Sequence, residues 1–67
     1  MHEGRIFKNQ AGRYALEDGF YWTSGDAMEL FYDGEWLKGR VEHSTDYYFT
    51  DDDCTIPLET GMLAKGE

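Results

Sequence analysis

Side chains that could do chemistry are few in this chain, and their spacing matches no metal site. Residues 51–54 read Asp-Asp-Asp-Cys, whereas a calcium loop alternates its ligands and has a glycine at the turn and a distal glutamate. His2, His43 and Cys54 lack the spacing of a closed zinc site, which needs four ligands. We therefore expect no metal and no cofactor, and interpret the three aspartates as a solvated turn.

The same residues do not form a catalytic set. A nucleophile needs an oriented base and a cleft, and neither Ser24 nor Ser44 has an evident base partner. We expect a protein that is not an enzyme. Cys54 is expected to be small and partly buried, with a pKa raised by the neighbouring aspartates, and His43 to lie on the surface at a strand end.

Charge is the more informative property. The formal net charge is −8, which repels the backbone of nucleic acids and attracts basic protein surfaces. An alternative is that the charge only keeps a small aromatic-rich protein soluble. Most acidic residues fall in the middle of the chain, and we take nine as partner-binding candidates: Asp26, Glu29, Asp33, Glu35, Glu42, Asp46, Asp51, Asp52 and Asp53.

The elements that position these residues are short strands. Asp33-Gly34 between apolar-rich runs predicts a tight turn joining strands at 27–32 and 35–43, because a type I′ turn needs positive φ at both central residues. Another strand is expected at 47–50.

Outside this region the pattern predicts short strands at 5–8, 13–16, 20–22 and 62–65. Pro57 lacks an amide donor and cannot occupy a central strand, so one 3₁₀ turn is expected at 56–59. The fold class is all-β, an antiparallel barrel of five to seven short strands. The chain, 1–67, is one domain.

Alternation along the central hairpin assigns its two faces. Met28, Leu30, Leu37 and Val41 are expected in the core. Phe31 and Trp36 then lie near each other on the outside, and two neighbouring exposed aromatics suggest a partner-binding surface.

The cellular setting is inferred from composition. Cys54 is the only cysteine, so no intrachain disulfide is possible, which favours a reducing environment. We see no signal peptide and no run of about 18 apolar residues that a membrane helix requires. The expectation is a cytoplasmic protein, monomeric or a weak homodimer, without membrane contact.

The central segment carries the motifs Gly25-Asp26, Met28-Glu29-Leu30, Gly34-x-Trp36, Gly39-x-Val41-Glu42 and Asp46-x-Tyr48. This series resembles SH3-like small barrels of the Tudor and Agenet kind. With its Ile56-Pro57-Leu58 ending, the chain also resembles, over residues 5–64, a family of short SH3-like proteins of unknown function from Gram-positive bacteria, their phages and mobile elements. The Tudor resemblance implies an aromatic cage for methylated lysine or arginine, with candidates Tyr21, Trp22, Tyr32, Tyr47 and Tyr48.

Two functional hypotheses follow. The first is an inhibitor or modulator whose acidic residues occupy a basic, nucleic-acid-binding surface of a larger protein, such as a nuclease. DNA-mimicking and anti-CRISPR proteins provide the analogy. The second is an SH3-like peptide-binding or assembly module that uses Phe31 and Trp36.

Overall fold

The structure is a computed structural model that describes residues 1–66. Every regular element in this range is a β-strand, which confirms the all-β class. There are eight strands rather than five to seven: β1 (His2–Arg5), β2 (Phe7–Lys8), β3 (Tyr14–Ala15), β4 (Ala27–Tyr32), β5 (Glu35–His43), β6 (Tyr47–Thr50), β7 (Thr55–Pro57) and β8 (Leu63–Gly66).

The strands form two antiparallel sheets. Six of them make one sheet in the order β1-β8-β4-β5-β6-β7, and β2 pairs with β3 in a separate two-stranded sheet. The two ends of the chain meet in this arrangement, because β1 pairs with β8 along its whole length. No helix long and apolar enough to cross a membrane occurs in residues 1–66.

The central hairpin has the predicted bounds and register. Asp33 and Gly34 have φ values of 53° and 81°, as a type I′ turn requires. Leu30 lies opposite Leu37, and Phe31 lies opposite Trp36. The strand predicted at 47–50 is also confirmed as β6.

The core lies on one side of the six-stranded sheet. Met28, Leu30 and Val41 are buried as predicted. Leu37 is only half-buried: it packs against the core without being part of it, although its cross-strand partner Leu30 is fully buried. The largest fully buried side chains come from several segments of the chain: Trp22, Phe49, Ile6, Met28, Leu30 and Val41.

The predicted strand at 5–8 is divided at Ile6. The Ile6 amide donates to the Met62 carbonyl at 2.8 Å, and the Ile6 carbonyl accepts from Gly61 at 2.8 Å. Ile6 therefore continues the pairing of β1 beyond β8, whereas β2 pairs with β3. The chain passes from one sheet to the other at this buried residue.

The segment 20–22, predicted as a strand, forms only an isolated bridge between Tyr21 and Ala15. Backbone bonds join Leu16 to Phe20 and Trp22 to Tyr14. The Trp22 side chain at the end of this segment is fully buried, and its indole Nε1 donates to the Ala27 carbonyl at 3.1 Å.

The predicted 3₁₀ turn at Pro57 is wrong, since Pro57 ends strand β7. The Asp51 amide donates to Cys54, and the Leu58 amide to Tyr47. Alternation between these bonded pairs puts Pro57 and its partner Tyr48 in a non-hydrogen-bonded pair. The missing amide hydrogen of Pro57 therefore faces the open edge of the sheet, where its loss removes no ladder bond.

Glycines 39 and 4 provide a matched test of core packing. A Cβ at Gly39 would lie 2.3 Å from the Thr50 carbonyl oxygen and 2.7 Å from the Phe49 ring, whereas one at Gly4 would make only an ordinary 3.5 Å contact with Leu16. We expect Gly39→Ala to lower the free energy of unfolding by about 2 kcal/mol or more, as overpacked cores do. Gly4→Ala should change it by less than about 0.5 kcal/mol. Thermal denaturation of both variants checks this, and equal melting temperatures would contradict the packing of Phe49 over Gly39.

Candidate functional site

Successive antiparallel hairpins alternate between the two ends of a sheet. The β4–β5 turn and the β6–β7 turn therefore point toward the same end of the sheet, and the β5–β6 turn lies at the other. The two turns are not level, because Thr50, the last residue of β6, lies opposite Arg40, five residues beyond Glu35 in β5. Four exposed acidic residues lie in the β4–β5 and β6–β7 turns or directly beside them, and none of their carboxylates has a hydrogen-bond or ion-pair partner within residues 1–66. We call this group the acidic end: Asp33, Glu35, Asp52 and Asp53.

Asp51 belongs to the same turn but has a different role. Its Oδ1 accepts hydrogen bonds from the backbone amides of Asp53 and Cys54, both at 2.8 Å. These two bonds hold the pKa of the Asp51 carboxyl below its usual value. Asp51 therefore organises the turn that presents Asp52 and Asp53. Its carboxylate is already engaged in hydrogen bonds within residues 1–66, whereas theirs are not.

Asp26 and Glu42, at the opposite end of the sheet, are also engaged within the fold. The Asp26 carboxylate accepts from the amide of Thr23 at 2.9 Å and from its hydroxyl at 3.1 Å. Glu42 accepts from the Ser24 hydroxyl and from Arg40 Nε, both at 2.9 Å, and these bonds lower the pKa of Glu42. Both carboxylates fix the loop that leads into β4.

Asp46 is the third carboxylate at that end that has a partner within the fold. Lys8 Nζ lies 3.0 Å from it, which ties the two-stranded sheet to the β5–β6 turn. The bond lowers the pKa of Asp46 and raises that of Lys8. Both groups are solvent-exposed, so this pair contributes little to stability.

Glu29 lies in a row of alternating charge across the outer face, the side of the six-stranded sheet opposite the core. The row runs from Glu3 through Lys65 and Glu29 to Lys38 on four neighbouring strands. Opposite charges in cross-strand positions stabilise a sheet modestly. Glu29 is thus surrounded by cations, unlike the residues of the acidic end.

The outer face as a whole is not acidic. By strand register it carries four of the six lysines and arginines of the chain but only three carboxylates, a net charge of +1 against −8 for the whole chain. A shallow cavity of about 240 Å³ opens beside Lys38 and Lys65. The charged residues of the face are Arg5, Lys38, Arg40, Lys65, Glu3, Glu29 and Glu42.

The two predicted aromatic residues meet on this face. The rings of Phe31 and Trp36 lie edge to face with centroids 5.2 Å apart, and Phe31 is 39 % exposed. Lys65 Nζ lies 4.0 Å from the centroid of the Trp36 ring, within the range of a cation–π interaction. This contact between β5 and β8 has no local sequence signal and was not predicted.

The residues considered for an aromatic cage do not form one wall. Trp22 is fully buried, and Tyr47 and Tyr48 are consecutive in β6, so their side chains point to opposite faces. Tyr21 lies beside Arg13, whose guanidinium carbon is 5.9 Å from the ring centroid. Tyr32 is exposed next to the central turn.

Cys54 and His43 are both exposed side chains, at different turns of the sheet. Cys54 is exposed rather than partly buried as expected, because it ends the β6–β7 turn. Partial desolvation and the nearby carboxylates of Asp51 and Asp53 raise the pKa of its thiol. His43 is exposed at a strand end, as predicted, and packs against Tyr47. In the described part of the chain no three His, Cys, Asp or Glu side chains could together hold a metal ion.

The role of Asp51 gives a pH prediction. Because folding lowers its pKa, its contribution to stability is complete above the ordinary aspartate pKa of about 3.9 and is lost as the pH falls below it. We expect Asp51→Asn, which keeps an acceptor oxygen, to flatten the dependence of melting temperature on pH between about 5 and 2. Asp52→Asn is the control and should follow the wild-type curve. If the melting temperature of Asp51→Asn depended on pH as that of the wild type does, the charge of Asp51 would not be what holds the turn.

One family model matches the chain. Its description is "Domain of unknown function (DUF5348)", and the match covers residues 3–65. No curated protein and no solved structure matches significantly. The matched range begins within β1 and ends within β8, so it includes residues from every strand of both sheets. The chain therefore belongs to the DUF5348 family of domains of unknown function.

Proposed function

We propose that this protein is a non-enzymatic binding protein that uses its acidic end to engage a basic surface of a larger protein. The observation that carries the proposal is that the four carboxylates of the acidic end, which lie in or beside two turns directed toward the same end of the sheet, have no partner within residues 1–66. Charges that are not neutralised internally remain available for a partner.

The chemistry of the partner follows from these carboxylates. Arginine and lysine groups that bind nucleic-acid phosphates also bind carboxylates, and charge-assisted hydrogen bonds of this kind are the strong ones. A surface of one charge sign also speeds encounter with its complement. We infer a partner with a basic nucleic-acid-binding surface, which the acidic end would occupy as an inhibitor or modulator. Direct binding of nucleic acid is disfavoured by the net charge of −8.

The SH3-like fold, the cellular location and the biological source are part of the same proposal. An SH3-like barrel is supported by the way the chain passes between the two sheets at Ile6. A cytoplasmic location in a Gram-positive bacterium, its phages or mobile elements is supported by the resemblance of the motifs and by the single, exposed Cys54. DNA mimicry and CRISPR inhibition are analogies from that setting.

A second candidate function is peptide binding or assembly through Phe31 and Trp36. It is favoured by one observation, the exposed edge-to-face pair on the outer face. Aromatic residues of this kind often carry much of the energy of an interface. Because binding of this type depends on apolar contact, it should respond little to salt.

Matched charge reversals separate the two functions. Asp52→Lys changes the acidic end, whereas Glu59→Lys makes the same charge change at another exposed loop position. With a partner captured from the host, we expect Asp52→Lys to slow association and to weaken its salt dependence between about 50 and 500 mM, where the Debye length shrinks several-fold. Glu59→Lys and Phe31→Ala should have smaller effects.

The kinetics are measured by surface plasmon resonance, after circular dichroism has shown that each variant is folded. Equal loss from Asp52→Lys and Glu59→Lys would mean that only net charge matters. Loss confined to Phe31→Ala, with no salt response, would replace the electrostatic function by the aromatic one. Tight binding of the wild type to duplex DNA at physiological salt would contradict both.

A further inference from the structure

The two edges of the six-stranded sheet differ. The strand order places β7 at one edge and β1 at the other. Pro57 occupies the β7 edge, and proline is a common means of blocking an open edge against further strands. Strand β1 reads His-Glu-Gly-Arg and contains no proline.

The open backbone groups of β1 can be identified from the ladder. Ile6 exchanges backbone bonds with Met62 and Gly61, so its amide and carbonyl face the β8 side. Antiparallel pairing alternates, so Gly4 also faces β8, whereas the amides and carbonyls of Glu3 and Arg5 face away from it. Within residues 1–66, these outward-facing amides and carbonyls form no backbone hydrogen bond to any other segment.

A groove of about 330 Å³ runs beside this edge. Residues of β1 form one side, and the segment 16–18 forms the other. Gly4 keeps the groove open, because it has no side chain and the nearest side-chain atom to a Cβ built there is Leu16 Cδ2 at 3.5 Å. Leu16 gives the groove an apolar floor.

The rim of the groove is negative. Glu3, Glu17 and Asp18 line it together with one cation, Arg5, and Arg5 Nη1 is directed to the Gly61 carbonyl at 2.8 Å. Asp18 already accepts from the ring of His2 and from the Phe20 amide at 2.9 Å. The carboxylates of Glu3 and Glu17 have no such partner in the described residues.

We propose that β1 binds an extended basic segment of a partner protein as a seventh strand of the sheet. Main-chain bonds to Glu3 and Arg5 would provide the pairing, as in other cases of strand addition. This site is separate from the acidic end and does not rest on its function.

Alternation fixes which residues of the added strand are basic. The residue opposite Glu3 shares its face, where an opposite charge is favourable. The next residue, opposite Gly4, points into the groove, where a lysine or arginine can lay its apolar stem over Leu16 and place its head near Glu17. The segment therefore has two consecutive basic residues.

The geometry of the edge is tested first, by amide hydrogen exchange of the free protein. The amides of Glu3 and Arg5 should exchange quickly, and that of Gly4 slowly, because only the last lies in the β1–β8 ladder. Protection of Glu3 and Arg5 in dilute protein would show that the edge is already covered and would overturn the proposal.

Binding is then followed by nuclear magnetic resonance with two end-blocked peptides, Thr-Val-Lys-Lys-Val-Thr and Thr-Val-Glu-Glu-Val-Thr. The β-branched flanks favour an extended conformation in both. We expect the lysine peptide to shift and protect the amides of Glu3 and Arg5, with an affinity at least about tenfold higher than that of the glutamate peptide, equivalent to about 1.4 kcal/mol. Equal affinities, or no shift of these two amides at millimolar peptide, would overturn the proposal.

Variants separate strand addition from simple charge attraction. Glu3→Pro removes an outward amide that makes no ladder bond, whereas Glu3→Gln removes only the charge. Binding should be lost in Glu3→Pro and weakened in Glu3→Gln and Glu17→Gln. If Glu3→Pro does not fold, the affinity of Glu17→Gln for the lysine peptide tests the proposal in its place.

Glu35→Gln, in the acidic end, is the matched control and should bind the lysine peptide as the wild type does. A wild-type affinity for Glu3→Pro or Glu17→Gln would overturn the proposal, as would peptide-induced shifts confined to residues 33–35. Shifts of the β1 amides that depend on protein concentration without peptide would mean that a second copy occupies the edge, which also overturns it.

Discussion

The register of the central hairpin is the constraint on which the rest of the structure depends. Asp33 and Gly34 both have positive φ, which fixes a two-residue turn and therefore the pairing of β4 with β5. A slip of β5 by one residue against β4 would exchange the two faces of β5. Val41 would then face solvent and Lys38 would enter the core, at a cost that a domain of this size cannot absorb. Both the buried face and the charged outer face follow from this single turn.

The acidic residues of the chain perform two different tasks, and the distinction depends on hydrogen bonding rather than on position in the sequence. Asp51 accepts two backbone amides, while its neighbour Asp52 has no acceptor role within residues 1–66. The first carboxylate shapes a turn, and the second contributes charge to the surface. The high acid content therefore combines carboxylates that hold turns and loops with carboxylates that have no hydrogen-bond partner in the described residues. That is why the proposed interface comprises four carboxylates and not nine.

Features encoded locally could be predicted from the sequence, whereas those that depend on distant pairing could not. The Asp33-Gly34 turn and β6 follow from neighbouring residues, and both were predicted with correct bounds. The pairing of β1 with β8 joins the two ends of the chain, and no local pattern specifies it. The same is true of Lys65 over Trp36. Pro57 shows a third case, since the rule that excludes proline from central strands was right, but it could not tell a 3₁₀ turn from an edge strand.

The candidate surfaces differ in the range of the forces that act on them. In the proposed function, carboxylates at the acidic end would act over roughly a Debye length, about 10 Å at moderate salt, and would mainly affect how fast the partner arrives. Backbone groups along β1 act only in contact, and mainly affect how long an extended segment stays. The acidic end extends along the hairpins of β4 to β7, whereas β1 lies at the far edge of the same sheet. A basic partner with an extended arm could use both surfaces at once, because the sheet holds them at a fixed separation, and the attachment of one would then raise the effective concentration of the other.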